Sequence, residues 1–279
     1  MPALTTVPAQ AAPASHTPSR RLADPALVEL ALSEREAAVD RSRALRLMGF
    51  DPDQRLRVLA VATGTNAADC RQTVGRLAGG TLRGRHRCTV LADVAAVLFQ
   101  SAKNPGCSPA GDLSAVLRAD RDQPGGDREL LDVVVGVGGA VTALDAHESW
   151  RQATLALRFT AHGRHQSRVV EFDGLGALAI VAEVPEARLR QNPDLVALEA
   201  LTASDIEALE VFCLSGSLRQ AAAALHLHHS SVAARLDNIE AALGWRLDDP
   251  LGRFRAMLAL LARTSSSGRS TADRASPRP

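Results

Sequence analysis

The pattern of apolar residues changes once along this chain of 279 residues, close to Pro185. Before Pro185, short β-rich runs alternate with segments of helical periodicity; after it only helical periodicity is found. Alternating strands and helices predict an α/β domain with a mixed sheet, and the segment that follows predicts an all-α domain. We expect the boundary between Pro185 and Thr202.

Four stretches make up the expected domain organisation. Residues 1–24 and 263–279 are rich in Pro, Ala, Ser and Arg and have little to bury, so both are expected to be disordered tails. Residues 25–190 are expected to form the α/β domain, for dimerisation or signal input, and residues 200–262 the helical domain. The C-terminal tail has four arginines and one aspartate, a net charge of +3.

The elements of the α/β domain can be placed from periodicity and turn residues. Helices are expected at 27–47, 66–77, 113–117 and 146–161, and strands at 56–63, 82–87, 94–99, 130–139, 169–172 and 178–184. The strands at 82–87 and 94–99 are expected to form a hairpin that turns at Ala92-Asp93.

Net charge, cysteine spacing and the lengths of apolar runs limit the classes of function that this chain can have. A net charge of +1 gives no argument for a nucleic-acid partner. The four cysteines are far apart, which indicates reduced thiols rather than a metal site or disulfides. No apolar run approaches the roughly 18 residues of a membrane span, and early prolines replace the apolar core of a signal peptide. We expect a soluble cytoplasmic protein without membrane contact.

Two central helices of the second domain are joined by a three-residue turn. Ser217 is expected to cap a helix at 218–225, residues 226–228 form the turn, and a helix at 229–243 follows. A first helix begins with the partial capping box of Thr202 and Asp205 and ends at Gly216, and Asp249-Pro250 begins a fourth. This bihelical geometry lays its second helix in the major groove of DNA.

Residues 216–261 resemble the C-terminal helix-turn-helix domain of PucR/CdaR-type bacterial transcription regulators. The matching positions are Gly216, Ser217, Leu218, Ala221 or Ala222, Leu225, His228, Val232, Arg235, Leu236, Ile239, Glu240, Gly244 and residues 247–250. The order of elements before it, with RALRLMGFDPDQRLRVLAV at 43–61 and SWRQATLAL at 149–157, resembles the degenerate GGDEF-like domain of the same regulators. The resemblance implies a regulator that binds double-stranded DNA as a homodimer, under an effector that the sequence does not identify.

The resemblance implies a set of DNA-binding residues. Ser217, Arg219 and Gln220 are expected at phosphates, and His228, His229, Ser230, Ser231, Ala234, Arg235 and Asn238 at or near the groove. Arg235 is the strongest candidate, and its replacement by alanine is expected to cut operator binding severely while leaving folding intact.

The module also departs from the family pattern. His229-Ser230-Ser231 replaces the usual Arg-Asn-Thr, Ala234 replaces a Tyr, and Asp237 with Asn238 replaces basic residues. Residues 201–261 hold five arginines and seven acids, a net charge of −2, so the domain alone is expected to bind DNA weakly and to need dimerisation or the basic tail. An alternative is a protein-interaction or dimerisation protein whose helix-turn-helix no longer binds DNA.

Several motifs are expected to carry no chemistry. The hairpin turn lacks the glycines and the second acid of a GGDEF run, and Gly125-Gly126-Asp127 lies in another loop, so we expect no cyclase activity and no cofactor. The glycines at 136–139 are expected to end a strand rather than to bind phosphate. His226 is expected at a positive φ and His228 at a helix cap, not as metal ligands.

Overall fold

The computed structural model describes residues 23–63, 67–102, 104, 106–122, 130, 132–160, 167–215 and 217–267. Residues 1–22 and 268–279 of the expected tails lie outside the described residues, as do Gly125-Gly126-Asp127 and Gly216. Within the described ranges, every helix is too short or too polar to pass through a lipid bilayer.

The described elements are as follows. Strands are β1 (Arg55–Ala62), β2 (Gly84–Leu91), β3 (Val94–Ser101), β4 (Val134–Val137), β5 (Val141–Thr142) and β6 (Val169–Glu171). Helices of the first half are α1 (Pro25–Ala31), α2 (Ala38–Leu47), α3 (Ala67–Thr81), α4 (Ala110–Asp122) and α5 (Ala146–Leu157). Those of the second half are α6 (Leu178–Glu183), α7 (Glu186–Arg190), α8 (Pro193–Glu199), α9 (Ala203–Ser215), α10 (Leu218–Leu225), α11 (His229–Leu243) and α12 (Pro250–Ser267). Short 3-10 turns lie at Ala143–Asp145 and Phe172–Gly174.

The strands form one mixed sheet in the order β2-β3-β1-β4-β6, with β5 paired to the start of β1. β1 runs antiparallel to β3 and β4, whereas β4 runs parallel to β6. An α/β domain with a mixed sheet, followed by a helical region, is therefore confirmed.

Both faces of the sheet are covered. Val58 and Leu98 face the side on which α1 and α2 pack, and α5 covers the same side. Leu59 and Val97 face the other side, against α3 and α4. Burial on both faces explains why β1 is continuously apolar from Val58 to Ala62 rather than alternating.

Helix α5 crosses β4 at unusually close range. A Cβ added to Gly136 would lie 2.1 Å from the carbonyl oxygen of Ala153, and one added to Gly138 would lie 2.0 Å from that of Ser149. The Ser149 hydroxyl also accepts the Val58 amide at 2.9 Å. The glycine-rich run is thus a strand end, as predicted, and its glycines make room for the helix.

Some sequence expectations were wrong. The expected helix at 27–47 is two helices, α1 and α2, and the expected strand at 178–184 is helix α6. Val181 and Val184, three residues apart, both pack on the core of the C-terminal helices. That one-sided contact at helical spacing favours a helix over a strand. Helix α12 also continues to Ser267, past the expected end at 262.

The C-terminal helices share one apolar core. Its fully buried side chains include Leu198, Leu209, Ile239 and Leu247. Leu189 of α7 also belongs to this core. The packing of the helical unit therefore begins before residue 200.

Candidate nucleic-acid interface

Helix α10 has a polar cap at its start and a left-handed residue at its end. The Ser217 hydroxyl accepts the Gln220 amide at 3.3 Å, which satisfies one of the free N–H groups of the first turn. His226 ends the helix at φ 55° and ψ 36°. Ala221 and Ala222 face the core, where their small side chains let neighbouring helices approach.

Helix α11 begins at His229, three residues after His226. Nδ1 of His228 accepts the Ser230 amide at 3.4 Å and lies 2.7 Å from the Ser230 hydroxyl, so His228 is the N-cap. The predicted backbone roles of His226 and His228 are confirmed. Across the described ranges, no group of three His, Cys, Asp or Glu side chains could hold a metal ion.

One side of α11 is buried and the other is open to solvent. The buried stripe consists of Val232, Leu236, Ile239 and Leu243. The predicted DNA-binding residues that are exposed are Arg219, Gln220, His228, His229, Ser230, Ser231, Ala234 and Asn238. Ser217 is half-buried, and its hydroxyl accepts the capping hydrogen bond from the Gln220 backbone N–H. The predicted set, apart from Arg235, is thus divided between an exposed surface and a cap.

Arg235, the strongest candidate in the sequence, makes contacts within the domain while its side chain stays 34% exposed. Its Nη1 donates to the carbonyl oxygen of Ser204 at 3.1 Å, and its Nε lies 3.8 Å from Oδ1 of Asp205. Both partners belong to the first turn of α9, so the guanidinium is directed back into the domain.

The first turn of α9 is held by a reciprocal cap. The Thr202 hydroxyl accepts the Asp205 amide at 3.2 Å, and the Asp205 carboxylate accepts the Thr202 amide at 3.3 Å. The partial capping box expected from the sequence therefore forms with Asp in place of Glu. It places the Arg235 partners at a rigid helix start.

The connection between α11 and α12 uses residues whose roles the sequence did not reveal. Glu240 accepts the Leu247 amide at 2.6 Å, and the Trp245 indole N–H donates to the Gly252 carbonyl at 3.1 Å. Arg255 stacks on the Trp245 ring at 3.9 Å and pairs with Asp194. These contacts join α8, α11 and α12 at one corner of the domain.

The arginines of the helix-turn-helix region differ in what they contact. Arg246 pairs with Asp248, Arg255 pairs with Asp194, and Arg253 lies over the Phe212 ring at 4.6 Å. Among the described arginines between residues 201 and 261, Arg219 is the one without a hydrogen bond or ion pair. Arg219 is the second residue of α10, and its side chain is exposed to solvent. Its charge is therefore available to a partner.

The β2–β3 hairpin is tight. Leu91 pairs with Val94, which leaves Ala92 and Asp93 as the turn, and Ala92 has φ 52°. The predicted turn at Ala92-Asp93 is confirmed. A two-residue turn presents one carboxylate, that of Asp93, where a GGDEF run would present two.

Comparison with known proteins gives two family matches. Residues 206–262 match the PucR C-terminal helix-turn-helix domain, and residues 33–159 match the GGDEF-like domain. No curated protein matches the chain. A crystal structure titled regulator of polyketide synthase expression, from Bifidobacterium adolescentis, is 16% identical, covers 85% of this chain and 96% of its own, and has a TM-score of 0.38.

The chain thus carries a GGDEF-like domain followed by a PucR-type helix-turn-helix domain. These matches identify it as a transcriptional regulator. The resemblance seen in the sequence is thereby confirmed for both domains.

Proposed function

We propose that the chain binds operator DNA as a homodimer, with α11 in the major groove. Two observations carry the proposal: Arg219 at the start of α10 is unpaired, and the polar first turn of α11 is exposed. A free cation at a helix N-terminus is suited to a phosphate, and an exposed polar helix start is suited to base edges.

The residues divide into two roles. Arg219 and Gln220 contact phosphates, with Ser217 holding the helix start that presents them. His229, Ser230 and Ser231 lie at the end of α11 that enters the groove, and Asn238 has the amide that pairs with adenine. Ala234 offers a methyl group, which suits the methyl group of thymine. His228 acts through the backbone as the cap of α11.

The negative net charge of the helical domain is the reason for including a dimer in the proposal. The net charge of −2 over residues 201–261 weakens attraction to phosphate, and the basic tail and a second copy of the domain offset it. A two-fold dimer reads two half-sites, so its binding energies combine on one operator.

The test is a titration of purified full-length protein on genomic DNA fragments, including the region upstream of its own gene, at several salt concentrations. We expect discrete fragments to bind. Asn238→Ala should weaken binding of those fragments by roughly tenfold, because an amide pair to adenine contributes about 1–3 kcal/mol of discrimination. Arg219→Gln should weaken all DNA binding and lower the salt slope by about one phosphate contact.

The matched control is Arg118→Gln. Arg118 is exposed on α4 in the α/β domain, and its replacement changes the net charge by the same amount as Arg219→Gln. If Arg118→Gln and Arg219→Gln lost DNA affinity equally, the loss would be explained by net charge alone. That result would contradict the proposed interface.

An exposed apolar surface on α12 favours a second candidate function. Leu251 and Phe254 of α12 are 72% and 62% exposed, with Leu258 on the same side of the helix. In this alternative the helical domain docks a second copy of the chain and has lost DNA binding. Absence of fragment-selective binding at low salt, in a sample that light scattering shows to be dimeric, would select this alternative.

The α/β domain is proposed to be a non-catalytic part of the regulator, for dimerisation or signal input. The two-residue hairpin turn supports this, since it carries one acid where a cyclase needs a metal-binding pair. We further propose residues 25–190 and 200–262 as the two functional regions and the cytoplasm as the location.

A further inference from the structure

A cavity of about 430 Å³ opens in the α/β domain at the end of the sheet where β1 begins. Its walls come from β1, the loop after β3, the residues after β4 and the 3-10 turn after β6. The hairpin turn lies at the other end of β1, because Val61 pairs with Ala95 near that turn. The cavity is therefore distinct from the place where a GGDEF run would lie.

Among the described residues, the charged groups that line the cavity are two arginines and one aspartate. Arg55 and Arg57 are two residues apart on β1, so both side chains leave the same face of the strand. Asp173, in the 3-10 turn after β6, is the acid of the lining. The described part of the lining thus carries an excess of one positive charge.

The Arg57 guanidinium is buried and rigidly held. The residue is 8% exposed; its Nε donates to the Gly106 carbonyl at 3.1 Å and its Nη1 to the Gly138 carbonyl at 2.8 Å. Nη1 also donates to Oδ2 of Asp173 at 3.0 Å. The Asp173 side chain is itself 53% exposed, so the single carboxylate on this buried cation is open to exchange with solvent.

Arg55 lies at the mouth of the cavity. Its Nη2 donates to the Ala140 carbonyl at 2.5 Å, and the described part of the chain provides no other hydrogen-bond partner for it. The remaining N–H donors of an anchored guanidinium beside a second guanidinium suit the oxygens of a carboxylate or phosphate group.

We propose that this cavity binds a small oxyanionic ligand, a carboxylate or phosphate compound, which competes with Asp173 for Arg57. The volume lies within the range of roughly 300–1,000 Å³ that is typical of small-molecule sites. The ligand oxyanion bridges Arg55 and Arg57, and Asp173 leaves Arg57 when the ligand enters.

The position of Asp173 connects the cavity to the helical unit. The 3-10 turn that holds Asp173 leads into α6, whose Val181 packs on the core of the C-terminal helices. Glu183 of α6 pairs with Arg151 of α5 at 3.1 Å. Displacement of Asp173 therefore acts on the segment that joins the two domains, and this regulatory reading rests on the proposed function.

The test is calorimetric titration of the full-length protein, without DNA and at low chloride, with inorganic phosphate and with succinate. We expect saturable binding of at least one probe. Arg55→Gln should weaken that binding by about tenfold, because it removes a charge-assisted donor. Asp173→Asn should strengthen it by about tenfold, because it removes the competing carboxylate.

The control is Arg43→Gln, an exposed residue of α2 outside the cavity with the same change in charge, and it should bind as the wild type does. Three results would overturn the proposal: no saturable binding of either probe to wild type or Asp173→Asn, an equal loss in Arg43→Gln and Arg55→Gln, or weaker binding in Asp173→Asn. Because no DNA is present, failure here is distinguishable from failure to bind an operator.

Discussion

The Arg235 side chain links α11 to another helix of the same domain while remaining one-third exposed. Its guanidinium holds the Ser204 carbonyl and lies near the Asp205 carboxylate, so α11 is tied to the first turn of α9. An arginine in this place orients the helix whether or not it also touches DNA. Loss of operator binding on its removal therefore has two explanations, which stability measurements separate.

We expect Arg235→Ala to lower the free energy of unfolding by about 1 kcal/mol, because the Ser204 carbonyl loses a charged donor at a partly exposed site. Urea denaturation of the full chain measures this. Asn238→Ala, on the exposed side of the same helix, should stay within about 0.5 kcal/mol of wild type. Unchanged stability of Arg235→Ala together with lost operator binding would instead indicate direct DNA contact.

At the scale of elements, the packing of α5 on β4 depends on glycine. We expect Gly136→Ala to lower the free energy of unfolding by about 3 kcal/mol, since the new methyl group would overlap the Ala153 carbonyl of α5. Gly75→Ala, in the middle of α3 with open space around it, should raise stability by up to about 1 kcal/mol. Thermal and urea unfolding of both variants would show the opposite signs, and a neutral Gly136→Ala would contradict the close approach.

The elements also show which parts of the fold the sequence could predict. The hairpin, the capping box at Thr202 and the caps of α10 and α11 follow from local chemistry, so they were predictable. The helix α6 was not, because a short apolar run has the same composition in a strand and in a buried helix. Its conformation depends on the core contacts of Val181, which lie elsewhere in the chain. The contact of Arg235 with Ser204 could not be predicted for the same reason, because the two residues are 31 positions apart.

At the scale of the whole molecule, the two domains have separate apolar cores. One core is built from residues between 189 and 262, and the others from residues between 28 and 169. Buried cysteines can serve as probes of both domains. Cys213 lies in the core of the helical domain, and Cys70 and Cys88 lie in one of the cores of the α/β domain. Cys107 is exposed.

We expect a thiol reagent to modify Cys107 rapidly in the native protein, and Cys107→Ser to abolish that fast phase. Burial raises the pKa of the Cys213 thiol to about 11 and also raises the pKa values of Cys70 and Cys88, so their reactive thiolates are scarce at neutral pH. Increasing urea should expose Cys213 and the Cys70–Cys88 pair in two separate steps. Rapid labelling of Cys213 without urea, or one common step, would contradict this.

The early start of the helical core bears on how the domain can be isolated. The segment that matches the helix-turn-helix family begins at residue 206, yet Leu189, Leu195 and Leu198 are buried in the same core. A fragment cut at the edge of the match would expose the surfaces that these leucines cover. The unit that is inherited as a DNA-binding motif is thus smaller than the unit that folds, and an autonomous fragment has to include α7 and α8.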